Sequence, residues 1–178
     1  RTVDALVLVR HMLGQEINST NDHIKQTTLI SFIAPDGLSW CPAEPWTLPV
    51  PHTRPAWLQQ GTLLALTSLY LSTRDEYYKK LAERNIDGII KLAKFNEDGH
   101  ADFPGDFFTL AEGWSKPSKD KMHRPSIFYT SVTMPLMRFY SITGYEPALR
   151  LASALIKWTL NDNNGVAGMF ELGHFHSQ

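Results

Sequence analysis

The sequence predicts an all-α fold of antiparallel helical hairpins, and three observations carry that prediction. Leu66–Ile90 recurs seventy positions along as Leu136–Leu160: Leu66 meets Leu136, Tyr70 meets Tyr140, Thr73 meets Thr143 and Glu76 meets Glu146. Leu81 and Ala82 meet Leu151 and Ala152, Ile86 meets Ile156, and Ile90 meets Leu160. The coincident positions are apolar ones at helical spacing, together with the residues of a turn between two helices. A fixed-period recurrence of one supersecondary unit marks an architecture built by stacking. A fainter correspondence has an offset of sixty-two, in which Ile24 meets Ile86, Ile30 meets Leu92 and Asp36-Gly37 meets Asp98-Gly99. Alternate helices thus run out into Asp-Gly or Asn-Gly turns and then long loops. Short turns alternate with long loops, so the long loops share one face.

Taken in order, Thr2–Leu13 reads as an amphipathic helix with Val3, Leu6, Val7, Val9 and Leu13 mainly on one stripe, stopped by Gly14. Asn18-Ser19-Thr20-Asn21-Asp22 offers several N-caps for a helix from about His23 to Ala34. Pro35-Asp36-Gly37 ends it, because proline cannot continue a helix and Asp-Gly favours a turn. From Leu38 to Pro55, Trp40, Trp46 and a run of prolines predict an extended, ordered loop. Ala56–Ser72 and Asp75–Phe95 are the first copy of the hairpin, and the long irregular stretch Asn96–Pro125 follows. Ser126–Thr143 and Pro147–Leu160 are the second copy, with Pro135 expected to kink or split the first of these helices. In each copy Thr-x-x-Glu (Thr73 to Glu76, Thr143 to Glu146) reads as a capping box. Gly168–Gln178 is a loop bearing glycine and histidine.

The 178 residues suit one all-α domain, or a piece of a larger one: there is no initiator Met and the chain stops in a loop. Charges of both signs are interspersed and sum to −1, which argues against a nucleic-acid module. No apolar run is long enough to span a bilayer. Cys41 stands alone, so no internal disulfide framework is possible.

Three blocks carry a resemblance: Pro35-Asp36-Gly37-Leu38-Ser39-Trp40, Phe139-Tyr140-Ser141-Ile142-Thr143-Gly144 and Gly173-His174-Phe175-His176-Ser177. They resemble bacterial proteins of the six-hairpin glycosidase superfamily, in particular uncharacterised or β-L-arabinofuranosidase-like members, which are (α/α)6 toroids. The resemblance implies a carbohydrate substrate, a groove on the long-loop face and a secreted or periplasmic setting. It also implies that these helices are about half of a toroid, with the remainder in a longer chain. The cysteine-zinc chemistry of the arabinofuranosidases needs several cysteines, so it does not carry over to Cys41.

Glycoside hydrolysis usually needs two carboxyl groups, one protonated to assist departure and one ionised as base or nucleophile. Of the loop-face acids (Asp36, Glu44, Asp98, Asp102, Asp106, Glu112 and Glu171), Asp36, Asp98 and Asp102 are the catalytic candidates. Asp36 and Asp98 follow equivalent helices and should share a rim, although Asp-Gly also makes a turn for its own sake. Trp40 and Trp114 offer flat faces for sugar stacking, or pin their loops to the helices beneath. His174 and His176 share a side if their segment is extended, facing a substrate or serving structure. His123 and Arg124 could bind a substrate carboxylate, such as that of a uronic acid, or be an ordinary solvated pair. Two histidines without a third ligand do not make a metal site, and no cofactor fingerprint occurs. A reading from a different class also fits, a non-catalytic helical-repeat protein used for binding or assembly.

Overall fold

The computed structural model describes residues 2–17, 19–42, 52–53, 56–102 and 132–159. They form helices α1 (Thr2–Met12), α2 (Thr20–Ser31), α3 (Ala56–Thr73), α4 (Glu76–Leu92), α5 (Thr133–Thr143) and α6 (Glu146–Thr159). Four two-residue strands make two antiparallel ladders: β1 (Cys41–Pro42) with β2 (His52–Thr53), and β3 (Lys94–Phe95) with β4 (Ala101–Asp102). The described residues are mostly helical, as the sequence predicts.

The core is made by the repeat. Leu66, Leu136, Leu81, Leu151, Ala82 and Ala152 are all buried, so the matching positions point inward in both copies. Each fully buried leucine contributes about 1.5–3 kcal/mol relative to an exposed one. α3 is buried from Gln59 to Leu69, because α1, α4 and α5 pack against it. α4 and α6 are amphipathic and touch each other as well as their partner helices. A polar triad stitches the first layer: Arg138 donates to Asp4 Oδ1 at 3.0 Å and to Ser68 Oγ at 2.8 Å, and the Ser68 hydroxyl donates to Asp4. It thereby ties α5, α1 and α3 together. The correspondence weakens at the last helix, where Ile156 is 41% exposed although its counterpart Ile86 is fully buried.

The two short turns repeat atom for atom. Thr73 and Thr143 donate to Leu69 O and Phe139 O at 2.8 and 2.7 Å, and each accepts the N–H two residues on at 3.2 Å. Tyr70 and Tyr140 reach across to Glu76 and Glu146. The next position is left-handed in both, as Arg74 (φ 57°) and Gly144 (φ 69°). This corrects the capping-box reading of Thr-x-x-Glu. Thr73 is the last residue of α3, the N-cap of α4 is Asp75, which accepts from Tyr77 N, and Glu76 is the first helical residue. The threonine closes the incoming helix rather than opening the outgoing one. Beside the second turn, the Tyr145 hydroxyl donates to Asp87 Oδ1 at 2.9 Å. Burial first, and then that bond, push its pKa up to about 12.

The true capping box belongs to α2. Ser19 Oγ accepts from Asp22 N, and Asp22 Oδ2 accepts from Ser19 N at 3.0 Å. The helix therefore begins at Thr20 rather than near His23. It ends at Ser31 rather than Ala34, because Ile33 leaves to bridge Ser39. Likewise α4 stops at Leu92 because Lys94 and Phe95 enter a ladder. Pro135 lies in the first turn of α5, where its missing N–H has no intrahelical acceptor to lose. It therefore costs that helix nothing, and the kink expected there does not arise within α5; residues 126–131 lie outside the described residues.

Asp22 is buried and also takes Arg10 as ion partner at 3.0 Å, which fastens α1 to α2. The hydrogen bond from the Ser19 hydroxyl, and after it the guanidinium of Arg10, hold its carboxyl below its usual value of 3.8. A carboxyl that titrates lower in the folded chain contributes stability above the unfolded pKa and loses it as the pH falls through the folded one. We expect the urea midpoint to drop as the pH is taken from about 4 towards 2. Asp22→Asn should be less stable than the parent at pH 6 and should show a shallower fall below pH 4. An unchanged acid slope in the variant would assign that slope to other carboxylates.

Candidate functional site

The site candidates stand on two hairpin turns that the offset of sixty-two relates. After α2, the bridge Ile33–Ser39 encloses a turn in which Ala34 N donates to Leu38 O and Gly37 N to Ala34 O, both at 2.9 Å. After α4, the register pair Phe95–Ala101 encloses the same turn: Asn96 N donates to His100 O at 2.9 Å and Gly99 N to Asn96 O at 3.0 Å. Gly37 and Gly99 supply the positive φ that each turn requires. Asp36 and Asp98 are consequently equivalent in position, and both are exposed.

Each turn rests on the helix two further along. The first sits on α4: Arg84 Nη2 donates to Pro35 O at 3.3 Å, and Asn85 Nδ2 donates to Gly37 O at 2.9 Å. The backbones approach so closely that a Cβ on Gly37 would lie 2.1 Å from the Arg84 carbonyl oxygen, and one on Gly88 2.7 Å from Asp36 O. The second turn lies beside α6, where a Cβ on Gly99 would meet only Lys157 Nζ, at 3.5 Å.

Below the first turn runs a fully buried polar network. Gln59 Oε1 accepts from Ser39 N and from Asn85 Nδ2, both at 2.9 Å, and Gln59 Nε2 donates to Ser39 O at 2.7 Å. Ser39 Oγ and Thr62 Oγ1 are 2.7 Å apart. Asn85 Oδ1 is buried without a hydrogen-bond partner. Leu38 enters the core, and Trp40 packs half-buried against it. The carboxylate of Asp36 accepts from Leu38 N at 2.9 Å and, at the limit of a hydrogen bond, from the indole N–H of Trp40 at 3.5 Å. The aspartate thus makes the turn and the indole packs beside it, with the exposed carboxylate next to a partly exposed ring.

The second turn has no tryptophan in the position that Trp40 takes beside Asp36; there the β4 residue is Asp102, paired with Lys94 through the ladder. The side chain of Asp102, together with Trp114, His123, Arg124, His174 and His176, lies outside the described residues. Among the described residues, no three His, Cys, Asp or Glu side chains are grouped to hold a metal ion, and no helix is long and apolar enough to cross a membrane.

Sequence reasoning missed Gln59 and Asn85. The signal was present: Asn85 falls on the apolar stripe of α4 between Ala82 and Ile86, and Gln59 stands in the first turns of α3 just after Ala56-Trp57-Leu58. A polar residue at a core position needs a partner, and here Gln59 finds the backbone of Ser39 while Asn85 finds Gly37 O and Gln59. Set against known proteins, the chain matches no family model, no curated protein and no solved structure.

Proposed function

We propose that the chain is a portion of an (α/α) toroid of the six-hairpin glycosidase type, which cleaves a polysaccharide or oligosaccharide on the rim where the Asp-Gly turns stand. The equivalence of Asp36 and Asp98 carries this reading. Two carboxylates held by the same turn, one helix pair apart, are the kind of acid/base pair that glycoside hydrolysis uses. Trp40, beside Asp36, offers a face on which a sugar ring stacks. Trp114, His123, Arg124, His174 and His176 would complete the substrate contacts. A second reading, a non-catalytic binding or assembly array, is favoured by one specific observation: the Asp36–Ser39 block is already used in seating a turn on α4.

A panel of polysaccharides assayed for new reducing ends separates the two readings. If the pair is catalytic, Asp36→Asn and Asp98→Asn each lower turnover by about 10²–10⁴, the usual contribution of a general acid or base, while glycan binding persists. Trp40→Phe should raise KM more than it lowers kcat. Glycan binding without cleavage by the parent protein would favour the binding array. Unchanged turnover in either aspartate variant would remove that residue from the chemistry.

A further inference from the structure

The α1–α2 pair does not close as the other two pairs do. α3 packs along α4 and α5 along α6, whereas α1 touches α2 lightly and an open groove of about 630 Å³ lies among α1, α2 and α3. Its floor is one face of α3, where Leu58, Gly61, Thr62 and Ala65 recur at three- and four-residue spacing. Val3, Leu29 and Phe32 form the walls, and the ring of Phe32 is 44% exposed.

The charge lining the groove is one-sided. Lys25 lines it half-buried, and among the described residues no carboxylate pairs with it. The only acids of α1 and α2 are engaged elsewhere, Asp4 with Arg138 and Ser68, and Asp22 with Arg10 and Ser19. A concave, mostly apolar site with a few polar groups at its edge is the usual form of a small-molecule pocket, and its volume lies within the common range. An ammonium with no carboxylate paired to it among the described residues, lining a mostly apolar trough, matches a ligand with a negative head and a hydrocarbon tail.

We propose that this groove binds an anionic amphiphile, its unbranched chain lying against Leu29, Phe32 and Leu58 and its carboxylate meeting Lys25. The site adjoins the first Asp-Gly turn through Thr62 and Phe32 but does not depend on carbohydrate chemistry there.

Titration calorimetry of the protein with octanoate, decanoate, laurate and dodecanol tests this. The expected result is one site whose affinity rises roughly fourfold per added methylene. Lys25→Met should weaken laurate about fivefold and leave dodecanol unchanged. Gly61→Leu, or Thr28→Leu at the lip should the first variant not fold, should abolish binding of all four probes. Equal affinity for laurate and dodecanol, laurate binding that survives Lys25→Met, or binding that survives filling of the groove would each overturn the proposal. So would a dimer in sedimentation that Gly61→Leu splits while laurate does not bind, since the groove would then be a contact between two copies.

Discussion

Gly37→Ala should lower the free energy of unfolding by about 3–5 kcal/mol, and Gly99→Ala by only about 1–2 kcal/mol. Both residues occupy the same place in equivalent turns, at φ 86° and 76°, so the penalty for putting a side chain in left-handed backbone is common to the two. What differs is the space. At Gly37 the new methyl would lie 2.1 Å from a carbonyl oxygen of α4, which is backbone and cannot swing away, whereas at Gly99 it would meet the end of a flexible lysine. Overpacking against fixed atoms costs about 1–3 kcal/mol beyond the backbone term. Gly88→Ala is a companion test. In an ordinary helix interior that change gains about 1 kcal/mol, yet here the Cβ would lie 2.7 Å from Asp36 O and the sign should reverse. Urea unfolding of the three variants measures all of this. Equal losses at Gly37 and Gly99 would mean that the first turn is not seated on α4.

That contrast also shows what the sequence could and could not disclose. The hairpin repeat was legible because period and turn chemistry are both local: Leu81 and Leu151, or Thr73 and Thr143, sit alike because the same helix pair surrounds them. The turn equivalence of Asp36-Gly37 and Asp98-Gly99 was legible for the same reason, down to the ladder partners Ser39 and Ala101. Element ends were read less well. Ile33 and Lys94 have ordinary helical neighbours, and only a strand partner several residues downstream takes them out of the helix. Where a turn docks was not legible at all. Gly88 looks like a weak spot in a helix until Asp36 is found lying against it, and Asn85 looks like a flaw in an apolar stripe until Gly37 is found beneath it. The candidate site shares this limit. Two of its acids could be paired from the repeat, but the groove among α1, α2 and α3 depends on how loosely one helix pair packs, which no local pattern encodes.

Gln59→Leu should cost about 3–5 kcal/mol although it keeps the side-chain volume nearly constant. Gln59 is fully buried and satisfies three groups at once: the N–H and C=O of Ser39 and one N–H of Asn85. Leucine leaves all three without water or partner, and each orphaned buried group costs about 1–3 kcal/mol. Asn85 already carries one unpaired oxygen, so the network has no slack on that side. Thr62→Val, which removes a single hydroxyl partner from Ser39, should cost about 1 kcal/mol. A double-mutant cycle carries the argument further. Once Gln59 is leucine, Asn85→Leu removes a donor that has lost one of its two acceptors, so the pair of changes should cost less than the sum of the singles. Additive losses would show that Gln59 and Asn85 hold the turn independently. The same variant bears on function, because Ser39 is the link between this network and the segment that carries Asp36 and Trp40. Hydrogen exchange at the Ser39 amide should accelerate in Gln59→Leu by more than the global loss of stability accounts for, while the Asn96 amide in the equivalent turn follows the global change. If the two amides accelerate equally, the network stabilises the fold as a whole and does not position the rim.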